Sequence, residues 1–191
     1  MADIDKIIEV VGFVMGLFYL YWEYKADAKM WIASMISPAI GMVLYFSKGI
    51  YADSAMNIYY MLIGIYGYWN WTRKRGTTKK TLPISRVPMR TAAVLALVML
   101  ALWAFISQIL INFTDSTIPY LDAFTTAMAI VASWMGAKKY CEQWLLWIVI
   151  DAVTVPMQIY KGLIFYPILF SIYTIVAVFG YRNWLRMMKQ Q

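Results

Sequence analysis

The chain contains seven apolar segments, and each is close to the ~20 residues that an α-helix needs to cross a bilayer. Most of the connections between the segments are short, so neighbouring helices must run antiparallel. The pattern therefore predicts an all-α integral membrane protein with seven transmembrane helices. The predicted bounds are 7–24, 30–47, 52–72, 88–112, 119–137, 142–160 and 164–184.

Composition excludes several classes of protein. With 62% hydrophobic and 14% charged residues, the chain is too apolar for an ordinary soluble domain. It has no histidine and one cysteine, Cys141, so neither a disulfide nor a histidine proton relay is expected. The sequence shows no Walker A motif and no Ser-His-Asp or His/Cys set. We therefore expect no catalytic residues, no metal site and no cofactor. The acidic start lacks the basic region of a secretory signal, so the first segment should be retained.

The distribution of charge predicts the topology. The net charge is +7, and 14 of the 17 lysines and arginines lie in alternate loops and the C-terminal tail. The longest of these basic stretches is the linker at 73–86. Basic loops remain in the cytoplasm, so the N-terminus is expected outside and the C-terminus inside a bacterial inner membrane.

The chain repeats itself at an offset of 113 residues. Chance coincidence is a poor explanation, because tryptophan, asparagine and Lys-Gly pairs are not common membrane filler. The repeat predicts two parallel three-helix units around one central helix, a 3+1+3 design with a substrate site between the halves. We divide the chain into 1–72, 73–113 and 114–191. The matching pairs include Trp31 and Trp144, Lys48-Gly49 and Lys161-Gly162, Tyr60 and Tyr173, Gly67-Tyr68 and Gly180-Tyr181, and Asn70-Trp71 and Asn183-Trp184.

One acidic residue, Asp151, lies near the middle of the sixth predicted helix. A charge there costs at least ~2.5–3.5 kcal/mol unless it is paired or hydrated. Its counterpart in the first repeat is Pro38, so the scaffold does not require an acid at this position. Asp151 is interpreted as a substrate contact, such as a counter-ion for a cationic ligand. The alternative is a structural hydrogen bond between helices.

Residues at helical spacing extend this candidate site. Trp144, Trp147 and Gln158 share one face of the helix with Asp151. Two indoles beside a carboxylate and an amide are suited to an aromatic cation, which they can hold by stacking and cation–π attraction. For Trp144, a role as an interfacial anchor is equally consistent with its place near the helix end.

The third predicted helix carries a second stripe, formed by Asn57, Tyr60, Gly64 and Trp71, with Tyr68 close to the same face. Asn57 could bind an amide or an aminopyrimidine edge, and Gly64 could leave space for a ring. Polar residues and glycine also serve helix packing, which is the alternative for this stripe.

These motifs resemble the PnuC family of vitamin transporters over nearly the whole chain. The resemblance implies a fold like a full-length SWEET transporter, often trimeric. It also implies facilitated diffusion, without nucleotide hydrolysis, of an unphosphorylated vitamin that a cytosolic kinase then traps. The residues that carry it are those of 142–147, Tyr160-Lys161-Gly162, Ile65-Tyr66-Gly67-Tyr68 with Trp69 and Trp71, and Phe179-Gly180-Tyr181 with Trp184.

Family members carry nicotinamide riboside, thiamine or riboflavin. This chain has Asp151 where the nicotinamide riboside members commonly have Asn, Asn57 where they have Gln, and Gly64 where some have Asn. It is more similar to the thiamine-carrying PnuT branch, so thiamine is the expected substrate and nicotinamide riboside the alternative. Two other classes remain open, a membrane-embedded enzyme and a non-transporting scaffold or complex subunit.

The charge pattern predicts which loops are accessible from each side. A cysteine introduced at position 79 should be labelled only from the cytoplasm, and one at position 48 only from outside. An impermeant maleimide added to intact cells measures this. Labelling of position 79 but not of position 48 from outside would show that the orientation is the opposite of the predicted one.

Overall fold

The structure, a computed structural model, describes residues 16–47, 51–74, 81–162 and 165–191, and within these ranges all of the regular secondary structure is helical. The chain divides into two compact units, Met1–Leu82 and Pro83–Gln191. The helices are α1 (16–24), α2 (Lys29–Ser47), α3 (Tyr51–Thr72), α4 (Met89–Phe113), α5 (Pro119–Ala137), α6 (Gln143–Tyr160) and α7 (Phe165–Lys189). In unit 1, α2 packs on α3, and in unit 2, α4 packs on α5, α5 on α6 and α6 on α7.

Helices α2 to α6 begin and end within one residue of the bounds that the apolar segments predicted. Helix α7 differs, because it continues to Lys189 whereas the apolar segment ends at 184. A backbone helix does not have to stop where the apolar residues stop. Its last turn carries Arg186 and Lys189, and cations are favourable at a helix C-terminus. Of the first predicted helix, the part at 7–15 lies outside the described residues.

Hydropathy alone identifies fewer spans than the segment pattern. Two described stretches are by themselves long and apolar enough to cross a membrane, Met89–Phe113 at a mean hydropathy of 2.5 and Pro167–Lys189 at 1.3. The other helices contain prolines, polar residues and aromatic rings that lower the average. Helix α3, for example, has five tyrosines and two tryptophans, residue types that suit the membrane interface. The number of spans therefore remains a prediction from the segment pattern.

The end of the basic linker is attached to the turn between α5 and α6. The Ser85 N–H donates to the Lys139 carbonyl and the Cys141 N–H donates to the Ser85 carbonyl, both at 3.0 Å. The Val87 N–H donates to Glu142 Oε2 at 2.9 Å. These bonds hold the start of α4 against the turn. They also satisfy backbone groups that lie outside the helices.

Cys141 is enclosed by this linker and turn, and its side chain is fully buried. Burial, reinforced by the neighbouring Glu142 carboxylate, raises the pKa of the Cys141 thiol to about 11. Since the thiolate is the reactive form, the native cysteine should contribute little background when introduced cysteines are labelled.

The turn between α1 and α2 has the same backbone conformation as the turn between α5 and α6. Ala26 has a φ of 52° and Lys139, at the equivalent position of the repeat, a φ of 55°. The Ala26 N–H donates to the Glu23 carbonyl at 2.9 Å and the Lys139 N–H to the Gly136 carbonyl at 2.8 Å. A left-handed residue just after a helix is a common way to end it and to satisfy its last carbonyl groups. Both turns use a residue other than glycine for this purpose.

Each unit also contains the same packing motif, in which one tryptophan lies over a glycine and edge-on to a second tryptophan. We call it the Trp–Gly motif. Its members are Trp31, Gly67 and Trp71 in unit 1 and Trp144, Gly180 and Trp184 in unit 2. The two pairs of rings have centroids 5.6 and 5.8 Å apart at interplanar angles of 89° and 85°. All four indoles are buried, so the motif forms the contact between the first and second helix of each pair.

A glycine in this motif should be harder to replace than a glycine facing a flexible side chain. A Cβ at Gly180 would lie 2.8 Å from three atoms of the Trp144 ring, whereas a Cβ at Gly64 would lie 2.6 Å from Met35 Cγ. The Trp144 indole is rigid, buried and packed edge-on against Trp184, but methionine can change its rotamer. We expect Gly180→Ala to lower the free energy of unfolding by about 1–3 kcal/mol and Gly64→Ala by much less.

Thermal unfolding of the purified variants in detergent checks this comparison. The two substitutions are chemically identical and both lie inside helices, so helix propensity contributes equally to each. Equal losses at the two positions would contradict the assigned rigidity of the Trp–Gly motif.

Candidate functional site

The candidate site in unit 2 is built on one face of α6. Along this face Ile150, Asp151, Thr154 and Met157 are buried, while Ala152 and Ile159 on the opposite face are exposed. The Thr154 hydroxyl donates to the Ile150 carbonyl at 2.7 Å, so this polar group is satisfied within its own helix.

Pro156 interrupts α6 shortly after Asp151. Proline has no N–H, so the carbonyl of Ala152 loses its usual helical donor. A carbonyl acceptor is thus released one residue away from the acid, although α6 continues through the proline to Tyr160. A freed backbone group of this kind is tolerated at membrane depth where it faces protein or a hydrated cavity.

Asp151 lies near the middle of α6 and its side chain is 6% exposed. Within the described part of the chain, its carboxylate makes no hydrogen bond and no ion pair. Asp122, by contrast, forms an ion pair with Lys161. A buried carboxylate without a partner is destabilising, which makes a helix–helix hydrogen bond a poor explanation for this residue. The geometry therefore favours the ligand-binding interpretation of Asp151.

Tyr173 on α7 lies within electrostatic range of the Asp151 carboxylate. Its ring packs edge-on against Phe170, with centroids 5.9 Å apart. Sequence reasoning did not include Tyr173 among the site residues, although the repeat aligns it with Tyr60, which was included. The signal was thus present in the sequence, because equivalent positions of two repeats face equivalent surroundings.

Trp147 and Gln158 lie on the Asp151 face of α6 and both are partly buried. Trp147, one turn before Asp151, packs against a small core that contains Met128, Ala132 and Ile150. This contact holds one part of the indole in place while the side chain remains partly accessible. A ring held in this way next to a carboxylate can stack on a flat cation. Gln158 lies two turns beyond Asp151.

Trp144 has a different environment from its predicted one. It is 1% exposed, it lies over Gly180 and its ring is edge-on to Trp184 in the Trp–Gly motif. Its indole is buried and so is not open to a ligand in this structure, and its surroundings favour a packing role. Because Trp31 occupies the same environment in unit 1, this tryptophan repeats for structural reasons.

The remaining predicted residues belong to α3 of unit 1. Asn57 and Tyr60 are partly buried, and the ring centroids of Tyr59 and Tyr60 lie 5.5 Å apart. The space beside Gly64 is filled by Met35 rather than open to a ring, which favours packing. Tyr68 is 40% exposed. A substrate site that joins these residues to Asp151 remains a prediction.

A second buried carboxylate, which sequence reasoning missed, lies at the end of α1. Glu23 is 3% exposed and is hydrogen-bonded to Tyr19, one helical turn earlier. Tyr19 is also within electrostatic range of Tyr60. The i, i+4 spacing of Tyr19 and Glu23 was the available signal. The repeat places Gly136 opposite Glu23, so this acid, like Asp151, belongs to one repeat only.

The acid at the start of α5, Asp122, is fully engaged. Its Oδ1 forms an ion pair with Lys161 Nζ at 2.7 Å and its Oδ2 accepts from the Ser116 hydroxyl at 2.6 Å. The equivalent residues in the first repeat, Glu9 and Lys48, lie outside the described residues. Among the described residues, no group of three or more His, Cys, Asp or Glu could hold a metal ion.

The sequence of this chain is similar to those of known transporters. A sequence model described as nicotinamide mononucleotide transporter matches residues 6–186. The nicotinamide riboside transporter PnuC of Escherichia coli (strain K12) is 20% identical over 208 residues, which cover 96% of this chain and 87% of that protein. The riboflavin/roseoflavin transporter RibM of Streptomyces davaonensis is 26% identical over 185 residues, covering 92% and 83%.

The fold has a counterpart among solved structures. The crystal structure of the vitamin B3 transporter PnuC superimposes with a TM-score of 0.70 at 20% identity, over 94% of this chain and 81% of that chain. At this identity the match establishes a common fold. It covers helices of both units.

The environment of Asp151 predicts opposite effects of one substitution on stability and on binding. Asp151→Asn should leave the free energy of unfolding unchanged or raise it by about 1–3 kcal/mol, because it removes an unpaired buried charge. The same change should weaken binding of a cationic aromatic ligand roughly 10- to 100-fold, the value of a charge-assisted hydrogen bond.

Asp122→Asn is the matched control, because it replaces an acid that has partners. It should lower stability by about 1 kcal/mol or less and leave ligand affinity unchanged. Thermal unfolding and calorimetric titration measure the two quantities. A loss of stability in Asp151→Asn without a loss of affinity would show that Asp151 is structural.

Proposed function

This chain belongs to the nicotinamide mononucleotide transporter family, that of the PnuC proteins, and from this premise we propose that it facilitates uptake of a cationic aromatic vitamin across the bacterial inner membrane. As a member it is an integral membrane protein and a vitamin-type transporter. The proposal adds the charge of the substrate and the direction of transport. The observation that carries it is that Asp151, one turn from Trp147, is buried and has no hydrogen-bond or ion-pair partner among the residues that the structure describes.

The charge of Asp151 narrows the substrate class. A carboxylate at membrane depth attracts a cation and disfavours a phosphate, so the unphosphorylated form of a cationic vitamin suits it best. Riboflavin, named for one relative, is neutral at its ring and would leave the charge unpaired. Nicotinamide riboside, named for several relatives, has a cationic pyridinium ring.

Nicotinamide riboside is therefore the first candidate substrate. Thiamine, which the resemblance to the PnuT branch suggested, has no support in the names of the relatives. It remains the second candidate because its thiazolium ring is also a flat cation that Asp151 and Trp147 could bind. The two vitamins differ in their second ring, so residues other than Asp151 must distinguish them.

From the sequence repeat we propose that residues of both repeats contribute to vitamin binding. Asp151, Trp147, Gln158 and Tyr173 come from unit 2. Asn57, Tyr60 and the partly exposed Tyr68 come from unit 1, whereas Trp144 and Gly64 act through packing. Rocking of the repeats around the site would give alternating access. We further propose the 3+1+3, SWEET-like arrangement, a trimeric assembly, and an outer N-terminus with a cytoplasmic C-terminus.

The transport mode is proposed to be facilitated diffusion. The sequence contains no Walker A motif and no histidine, so it offers neither nucleotide hydrolysis nor the usual proton relay. Net uptake would then depend on a cytosolic kinase that phosphorylates the vitamin after entry. That kinase needs no contact with the transporter.

Uptake into liposomes that contain only the purified chain tests the function. Labelled nicotinamide riboside should equilibrate without ATP or an ion gradient, and an ionophore should not change the plateau. Trp147→Ala should slow uptake at low substrate concentration by roughly tenfold or more, because a desolvated cation–π contact is worth ~2 kcal/mol.

Labelled thiamine and labelled riboflavin, tested in the same liposomes, identify the substrate. Uptake of thiamine but not of nicotinamide riboside would exchange the two candidates, and uptake of riboflavin alone would reject a cationic substrate. Accumulation above the external concentration that collapses with an ionophore would show ion coupling. No uptake of any of the three would favour the non-transporting scaffold.

A further inference from the structure

The candidate site of unit 2 combines an aromatic ring and an acid one helical turn apart, Trp147 and Asp151 on α6. The repeat places Ser34 and Pro38 of α2 opposite them. Unit 1 therefore has neither group at the equivalent positions, although its helices share the Trp–Gly motif with unit 2. If unit 1 contains a pair of this kind, the pair must lie on another helix.

Helix α1 carries such a pair. Tyr19 and Glu23 have the same i, i+4 spacing as the pair on α6, which brings both side chains to one face of the helix. The repeat places the small residues Ala132 and Gly136 of α5 opposite them. An aromatic–acid pair thus occurs once in each repeat, on the first helix of the first repeat and on the second helix of the second.

Both aromatic–acid pairs lie near the tyrosine that the two repeats share. Tyr173 is within electrostatic range of the Asp151 carboxylate, and its counterpart Tyr60 is within electrostatic range of Tyr19. The tyrosine keeps its place in the repeat, whereas the helix that supplies the aromatic ring and the acid changes. A gapless alignment cannot detect this relation, because it compares each residue only with the residue 113 positions away.

The two acids differ in their partners. Glu23 is 3% exposed and accepts a hydrogen bond from the Tyr19 hydroxyl. Asp151 is also buried, but it has no partner among the residues that the structure describes. The charge of Glu23 is therefore stabilised in part by the protein itself, and that of Asp151 is the one that suits a cation. A ligand in unit 1 would then be bound through Tyr19 rather than through the acid.

The hydrogen bond to Glu23 determines what Tyr19 can offer a ligand. A phenol has one proton, and Tyr19 donates that proton to the carboxylate. Its oxygen then retains only acceptor capacity, and the negative charge of its partner makes the oxygen a better acceptor. Tyr19 is only partly buried, which leaves part of the residue accessible. The ligand group that it binds must therefore be a hydrogen-bond donor, such as a hydroxyl or an amino group.

We propose that Tyr19 is a further vitamin-binding residue and that Glu23 positions it. This inference rests on the proposed function, and it adds which part of the vitamin unit 1 recognises. Asp151 and Trp147 bind the cationic ring, and the Tyr19 oxygen, near Tyr60, accepts a hydrogen bond from a donor elsewhere on the vitamin. In nicotinamide riboside that donor is a ribose hydroxyl, and in thiamine it is the amino group of the pyrimidine.

Two ligands with the same cationic ring test this role. Nicotinamide riboside carries ribose hydroxyls, and 1-methylnicotinamide has the same pyridinium ring with a methyl group in place of the sugar. Calorimetric titration of the purified full chain measures both affinities. Tyr19→Phe should weaken binding of the riboside about 3- to 10-fold, the value of one hydrogen bond, and leave the affinity for 1-methylnicotinamide unchanged. Asp151→Asn should weaken binding of both ligands, because both carry the cation.

The matched control is Tyr21→Phe, which removes the same hydroxyl group from the same helix. Tyr21 is 52% exposed, and its hydroxyl accepts a hydrogen bond from Lys25 Nζ at 2.6 Å. The variant should leave both affinities unchanged.

Two variants of Glu23 test the positioning role. Glu23→Gln keeps a carbonyl oxygen that can accept the Tyr19 hydroxyl, whereas Glu23→Met has a similar length and no such acceptor. We expect Glu23→Gln to bind the riboside nearly as the parent chain does. Glu23→Met should weaken binding of the riboside alone, because the phenol of Tyr19 is then no longer held as an acceptor. A purely structural role would change the affinities for both ligands together.

The outcomes separate this inference from the proposed function. If the parent chain binds the riboside and Tyr19→Phe binds it equally tightly, the inference is wrong and the proposed function stands. Equal losses for the two ligands in Tyr19→Phe would also overturn the inference, because the pair would then act only through the packing of α1. A parent chain that binds neither cation would contradict the proposed function, and this inference with it.

Discussion

The need to satisfy every backbone hydrogen bond without water governs this structure. Within lipid only a helix satisfies its own peptide groups, and irregular backbone must therefore lie at the ends of the spans. The chain meets this need with short turns and with the linker end that pairs with the α5–α6 turn. The α1–α2 turn and the α5–α6 turn each use a left-handed residue, Ala26 or Lys139, so equivalent positions of the repeat end a helix in the same way.

The Trp–Gly motif, which repeats in the two units, serves packing, whereas the buried acids Asp151 and Glu23 do not repeat and are candidates for function. The Trp–Gly motif occurs twice because two helices in each unit must approach closely, and a glycine opposite an indole permits this. Asp151 has a proline as its counterpart and Glu23 a glycine. A scaffold built from two copies needs no acid at either place, so each acid requires an explanation from its own surroundings.

Asp151 illustrates how stability and function oppose one another in such a site. Its burial without a described partner is unfavourable for the free protein, and a cationic ligand would relieve part of that cost. Asp122, which is bound by Lys161 and Ser116, shows the opposite case of an acid whose partners are all provided by the fold. The two acids have the same chemistry, and only their surroundings make Asp151, and not Asp122, a candidate for ligand binding.

The sequence by itself determined the helical class, the bounds of α2 to α6 and the 113-residue repeat, and it identified Asp151 as a candidate site residue. These features depend on local composition and on spacing along the chain. The length of each apolar segment and the helical period of its residues can be read directly from the sequence. Tertiary structure decided which side chains of different helices contact each other. It placed Trp144 over Gly180, filled the space beside Gly64 with Met35, and brought Tyr173 near Asp151. Such contacts depend on the rotation of one helix relative to another about their axes. The spacing of residues within a single helix does not determine that rotation.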